Sequence, residues 1–509
     1  RFFKDKGQIL SSGSAYEIAS PYLEAELFDI KFAQSADVMY ITHPNHDVRK
    51  LSRTGHTSWT LATVSFTGSP SLPISGANNR PSCVSFFEQR LVFANTITNP
   101  QTLWFSKAGD YENFTTGTNA DDAMIYTIAS NQVNAIQYLK AVRTLVVGTS
   151  GGEFTVSADG TDASITPTNV TIKRQSSFGS AGVDAIPAGN AILFLQKAKR
   201  KIRELAYNFD SDGYVAPDLT ILNESVTKSG VNQMVYQQEP DSIIWCVRDD
   251  GELAGLTYQR SENVVAWHRH IFGGKSDTGK SVKQQKISFT ANSTNVSTSN
   301  NTITITGHGL ATGDAVYYYA ASNVIGGLSN SKVYYIISVD ANTIKLASTS
   351  SNATAGTAVS LTSAPGSNTT QFIYQGVNIN NNFLFIENHG FKTGQFIFYK
   401  NSGTAISGLA ENIKYYVAKI DDNQIQLFTD EARSSVVNLT SAHSSEQIDK
   451  ILTHAKVESV ATIDGDTDED QVYVIINRYI NGATKRYVEF FTPFEFNEDL
   501  TAFHYLDSG

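Results

Sequence analysis

Trp267-His268-Arg269-His270 places two imidazoles on one face of a strand, because side chains at i and i+2 of a β-strand point the same way. A pair so placed can ligate a transition metal, which normally takes four ligands. No third candidate stands near them in sequence, so a polar strand-end face is the expected role. His43 and His46 flank a Pro-Asn turn and carry the same expectation. His308 and His389 each stand before a glycine, in Gly307-His308-Gly309 and Asn388-His389-Gly390. Glycine admits positive φ, so both histidines are expected to serve one turn geometry, used twice.

Asp464-Gly465-Asp466-Thr467-Asp468-Glu469-Asp470 sets carboxylates at positions one, three and five of a calcium loop. Glu469 holds the sixth position, where the turn needs glycine, and Ile475 the twelfth, where a bidentate Glu belongs. A solvated acidic hairpin loop is the expectation. Ser157-Ala158-Asp159-Gly160-Thr161 has part of a sialidase-type Asp-box, but it occurs once and lacks the following tryptophan, so it reads as an ordinary turn. The one dense basic run is Lys197-Ala198-Lys199-Arg200-Lys201-Ile202-Arg203. Lys197, Lys199, Arg200, Lys201 and Arg203 are candidates to face DNA phosphates or an acidic subunit; protection of an edge strand by lysines is the competing role. No nucleophile–base pair, phosphate-cradling loop or paired catalytic carboxylates can be picked out. No enzyme activity, cofactor or metal is expected.

Composition points to an all-β chain. Among 509 residues are 28 Phe and 23 Tyr, and only 17% are charged, below the roughly 25% of average globular chains. No long segment keeps a 3.6-residue apolar period; a short helix near Tyr22–Leu27 is the exception expected. The two cysteines, Cys83 and Cys246, sit in apolar surroundings and are expected to be buried small hydrophobes. The net charge of −10 argues against a protein that grips nucleic acid through many phosphate contacts. No apolar run reaches the roughly 18 residues of a membrane span. The chain opens at Arg1 inside a strand-like Arg1-Phe2-Phe3, and further sequence ahead of it is expected.

The strands must come from a repeat. Ile243–Val247, Leu253–Tyr258 and Val264–His268 are β-rich runs joined by Asp249-Asp250-Gly251 and Ser261-Glu262-Asn263. Such a meander cannot bury both faces alone. Comparable strands start at Val38, Leu91, Leu145, Ile192 and Ile243, in steps of 53, 54, 47 and 51. A period near fifty with several strands per unit marks a β-propeller-like architecture. The sixth start, Val472, comes 229 residues after Ile243. Between Lys275 and Ala455 the chain turns rich in Ser, Thr, Asn and Ala, and holds an internal duplication. His308 matches His389, Gly327-Leu328 matches Gly408-Leu409, Tyr334-Tyr335 matches Tyr415-Tyr416, and Ile344-Lys345-Leu346 matches Ile425-Gln426-Leu427, all at an offset of 81. Removing those 181 residues restores a step of 48. The expected organisation is propeller blades over 1–274, a β module over 275–370, a second over 371–455, and a returning blade over 456–509. The modules are a tandem pair of small β-barrels in a loop between blades, where added length costs little.

Outside the insert the chain resembles tail nozzle proteins, or tail tubular protein B, of short-tailed phages. The resemblance is carried by Phe32-Ala33-Gln34-Ser35-Ala36-Asp37-Val38-Met39-Tyr40, by Leu103-Trp104-Phe105-Ser106 with Asp110-Tyr111-Glu112-Asn113-Phe114, by Trp267-His268-Arg269-His270, and by Val457-Glu458-Ser459-Val460-Ala461. The inserted modules resemble a small β-barrel of phage tail proteins that also occurs in ubiquitin-activating enzymes, without any of the latter's chemistry. The resemblance implies a structural virion protein. It would form a homo-oligomeric ring, a hexamer in the family, at the distal end of the tail, surrounding the channel through which DNA leaves without sequence-specific binding. Its implied neighbours are the tail adaptor, tail fibres and, through the insert, the host surface. The rival expectation is a propeller-type tail protein that binds or hydrolyses glycans, with acidic and aromatic residues converging on the central funnel.

Overall fold

Each of the first five periods of the chain folds as one antiparallel meander of four strands in sequence order. The computed structural model describes all residues except 5–6, 69–75, 130–132, 161–162, 211, 284, 331, 379–381, 387, 441–447, 465–468, 492–494, 497–502 and 505–509. Blade 1 comprises Lys31–Ser35, Val38–His43, His46–Gly55 and Ser58–Thr63. Blade 2 comprises Cys83–Phe87, Arg90–Ala94, Thr102–Phe105 and Met124–Thr127. Blade 3 follows with Ile136–Ala141, Leu145–Thr149, Gly152–Ser157 and Thr171–Arg174. Blade 4 holds Ile186–Ala188, Ala191–Leu195, Ile202–Asn208 and Gly213–Val215. Blade 5 holds Val231–Gln237, Ile243–Arg248, Leu253–Gln259 and Val264–His270. A sixth sheet, Lys456–Ile463, Gln471–Ile480 and Ala483–Phe490, has three strands. Consecutive four-stranded meanders of this kind make the chain an all-β, β-propeller-like protein.

The repeat is visible in the sequence because the second strands of the blades are mostly covered on both faces. Arg90–Ala94, Leu145–Thr149 and Ala191–Leu195 are buried at every position, and strands covered on both faces read as continuous apolar runs. Adjacent blades share cores. Tyr40 and Val48 of blade 1 pack with Leu91, Phe93 and Trp104 of blade 2; Val92 and Phe105 pack with Leu139 and Val147 of blade 3. Tyr138 and Val146 meet Ile192 and Phe194 of blade 4, and Leu193 and Ile202 meet Met234 and Ile244 of blade 5. The first strands converge. Lys31 of blade 1 donates to the Gln137 carbonyl of blade 3 and pairs with Asp184, just ahead of blade 4, at 3.2 Å. Gln233 of blade 5 donates to the Val460 carbonyl of the sixth sheet at 3.0 Å and accepts from the Ser459 hydroxyl at 2.9 Å.

The chain divides into two compact units: Arg1–Phe272 with Val457–Ile476 and Tyr487–Gly509, and Gly273–Lys456 with Asn477–Arg486. The second unit contains two seven-stranded sheets built to one plan. In spatial order, module 1 runs Gln285–Ala291, Thr369–Gln375, Ala315–Ala320, Lys332–Asp340, Thr343–Ala347, Thr302–Thr304, Val296–Ser297. Module 2 runs Lys275–Lys283, Ile448–His454, Phe396–Lys400, Lys414–Lys419, Gln424–Phe428, Phe383–Phe385, Val377–Asn378. Each has its own apolar core, and the cores repeat at the same offset, as in Val316 and Ile397, Tyr318 and Tyr399, or Ile325 and Ile406.

Strand pairing corrects the module boundaries. Thr369–Gln375 is one strand and closes module 1 against Gln285–Ala291, so a border at 370/371 would cut it. Module 2 takes its edge strand from Lys275–Lys283, which pairs with Ile448–His454. The duplication is tandem in sequence, while module 1 is nested between the first strand of module 2 and the remainder.

Candidate functional site

The 3-10 helix Glu24–Asp29 is the short helical piece expected near Tyr22–Leu27, and it carries a residue that the sequence did not connect with any histidine. Glu26 accepts from the Leu23 amide at 2.9 Å, from the Asn45 side-chain amide at 3.2 Å and from His46 Nε2 at 2.8 Å. The Leu23 amide first, and His46 next, hold its carboxyl at about 2. His43 and His46 end and begin the two strands of the blade 1 hairpin and sit opposite one another. Their rings lie 5.0 Å apart, and Tyr22 packs against both, at 5.8 and 5.0 Å. Candidate ligand atoms of Glu26, His43 and His46 all fall within 4.8 Å of one another. The expected polar strand-end role does not hold for His43, which is 1% exposed. Its Nδ1 accepts from the Asn45 amide at 3.0 Å, while its buried Nε2 makes no hydrogen bond of ordinary geometry, the Glu26 backbone being the group in reach. Burial pushes its basicity down.

The other histidines resolve differently. His268 Nδ1 and His270 Nε2 stand 2.7 Å apart, edge-on to the buried Trp245 ring, whose Nε1 donates to Gln237 at 2.9 Å. The two rings share one hydrogen bond and pack as part of blade 5. His308 and His389 repeat one device. The Leu310 amide donates to His308 Nδ1 at 2.9 Å and the Phe391 amide to His389 Nδ1 at 2.8 Å. Each Nε2 then donates 2.8 Å to a carbonyl, of Asp340 or Asp421. The shared turn geometry was legible; the cross-link between the turn and the next hairpin was not, since its acceptor is a carbonyl 32 residues on.

Of the basic run, Lys201 pairs with Asp218 at 2.8 Å and Glu224 at 3.1 Å. Arg203 donates to Gln196 at 3.0 Å and the Ala216 carbonyl at 2.7 Å, and stacks 3.6 Å over the Phe178 ring. Lys199 reaches Asn232 at 3.1 Å. Lys197, Lys199 and Arg200 are exposed. Glu153 is fully buried in blade 3, where Ser180 donates to it at 2.7 Å and Ser176 also donates; burial raises its carboxyl. Both cysteines are buried and outside any disulfide, with the Cys246 thiol pushed up by burial to about 12. Four residues of the acidic loop, 465–468, and position 161 of the Asp-box-like turn lie outside the described residues. No helix among the described residues is long and apolar enough to cross a membrane.

No protein-family model and no curated protein matches the chain. Among solved structures, a Lactobacillus plantarum protein is similar over 67% of this chain and 86% of its own, at 11% identity and a TM-score of 0.32. A calcium-binding regucalcin from Agrobacterium tumefaciens is similar over 47% and 72%, at 12% identity and 0.27. Hsv2 of Kluyveromyces marxianus is similar over 94% and 95%, at 8% identity and 0.29.

Proposed function

We propose that this chain is a structural, non-enzymatic virion protein of a phage tail, nozzle-like. In this reading its propeller-like unit builds a ring with other copies, and its paired modules meet fibres or the host surface. The observation that carries this reading is how the polar groups at the convergence of the first strands are used. Asp184 faces Lys31 at 3.2 Å and Lys140 at 4.0 Å, and Gln233 is held by Ser459 and Val460. These groups hold blades together, whereas a glycan-cleaving site needs two carboxylates flanking one bond. The phage-type phrases noted above lie in blades 1, 2 and 5 and in the sixth sheet. With a net charge of −10, a ring wall of this protein avoids the many ionic contacts that make nonspecific DNA binding tight. Lys197, Lys199 and Arg200 then serve as local contacts to DNA or an acidic neighbour, next to an adaptor above. Mass photometry and negative-stain imaging of the full-length protein test the proposal. A closed cyclic oligomer is expected, and monomers alone at micromolar concentration would overturn it.

A second reading, a propeller-type tail protein that takes glycans, is favoured by the blade 4 hairpin. There Phe209 is 87% and Tyr207 49% exposed, and the Tyr207 hydroxyl donates to Asp212 at 2.5 Å. Exposed aromatic faces beside a carboxylate suit sugar rings. Specific signal on a glycan array, abolished by Tyr207→Ala, would favour this reading over the first.

A further inference from the structure

We propose that Glu26, His43 and His46 form a binding site for a zinc-class divalent cation at the tip of blade 1. Two imidazoles and one carboxylate are the ligand types zinc takes, with water completing a tetrahedron. The three side chains already converge, with ligand atoms within 4.8 Å, although Glu26 comes from a separate segment and must be carried there by the 3-10 helix. That helix is fastened by Glu26 itself, through the Leu23 amide and Asn45. The second observation is the His43 ring. It is 1% exposed, and its Nε2 makes no hydrogen bond of ordinary geometry, with only the Glu26 backbone in reach, whereas buried polar atoms are normally well paired. His308 and His389, which make the same Nδ1 contact to an amide two residues on, both give their Nε2 a carbonyl. His43 makes no bond of that geometry.

The protons set a condition on binding. With Nδ1 accepting from the Asn45 amide, the neutral ring carries its proton on Nε2. Coordination through Nε2 moves that proton to Nδ1, where it would oppose the Asn45 N–H. The turn sequence supplies the remedy. A flip of the Pro44–Asn45 peptide swaps that N–H for the Pro44 carbonyl, which then accepts from Nδ1–H, the usual outer support of a metal-bound histidine. Proline at the first central position suits both type I and type II turns, and asparagine tolerates the positive φ that type II requires at the second. Asn45 has a negative φ here, so the arrangement seen is the proton-bearing one, and the cation selects the other turn. The Tyr22 hydroxyl, buried and without a partner, packs beside both rings and is available to the metal-bound water.

The test uses the full chain, purified without a histidine tag, and zinc alone as the probe. After equilibration and desalting, one zinc per chain is expected, and cobalt in its place should give the intense visible absorption of a four-coordinate site. Glu26→Gln and His46→Ala, both at partly exposed positions, should each weaken zinc binding at least tenfold while leaving the circular dichroism of the chain unchanged. Because His43 is buried, His43→Gln is judged only after the same folding check. Zinc below stoichiometry in the wild-type chain, or retention unchanged in Glu26→Gln and His46→Ala, would overturn the site. Neither result depends on whether the protein forms a ring.

Discussion

Like the buried His43, His268 is an imidazole that the fold keeps neutral. Burial, and then the neighbouring His270, hold it at about 4, against an ordinary 6.5. The unfolded chain therefore binds the extra proton first, between about 6.5 and 4, and stability rises with pH across that interval. The contribution is complete above 6.5 and is lost as pH falls through 4. Urea unfolding of the first unit followed by tryptophan fluorescence should show this slope, and His268→Gln should reduce it, leaving the share that His43 contributes in the same direction; an unchanged slope would place the titration elsewhere. His308→Ala and His389→Ala each remove a buried side chain that joins an amide to a carbonyl. Each is expected to cost its module about 1–3 kcal/mol, measured as a lower midpoint for the second unit only.

At the level of elements, the duplicated residues are those that pin loops to strands. Gly327 and Gly408 take φ of +92° and +101°, and a Cβ on either would lie 2.1 Å from a backbone carbonyl, of Ser360 or Asn438. Gly327→Ala and Gly408→Ala should therefore destabilise by more than the ~1 kcal/mol that left-handed backbone alone imposes on alanine. Gly309, at +64° with open space around it, is the control expected to show that smaller cost. The same features mark what could be read in advance. The second strands of the blades stood out because both their faces are mostly covered. Outer strands such as Met124–Thr127 and Thr171–Arg174 are short and partly exposed, so they gave weak signals. Lys275–Lys283 reads Lys-Ser-Asp-Thr-Gly-Lys-Ser-Val-Lys, with neither alternation nor a counterpart at the repeat offset, which is why the nesting of the modules was not legible. The Glu26 site was missed for a related reason. Its carboxylate lies 17 and 20 residues ahead of the histidines, a separation no motif records.

At the scale of the whole molecule, the blades are expected to fold without help from the guest modules. Gly274 and Ala455 are neighbours, joined by a 3.2 Å bond from the Ala455 amide to the Gly274 carbonyl, and Lys275 pairs with His454. The loop that leaves the blades thus returns beside its point of departure, and closing so short a gap asks little of the chain. Deleting Lys275–His454, with Gly274 joined to Ala455 through a short glycine linker, and recording amide hydrogen exchange is the direct measurement. Protection in the second strands of blades 1 to 5 should stay at the level of the intact chain. Collapse of that protection would contradict the division of labour between blades and modules.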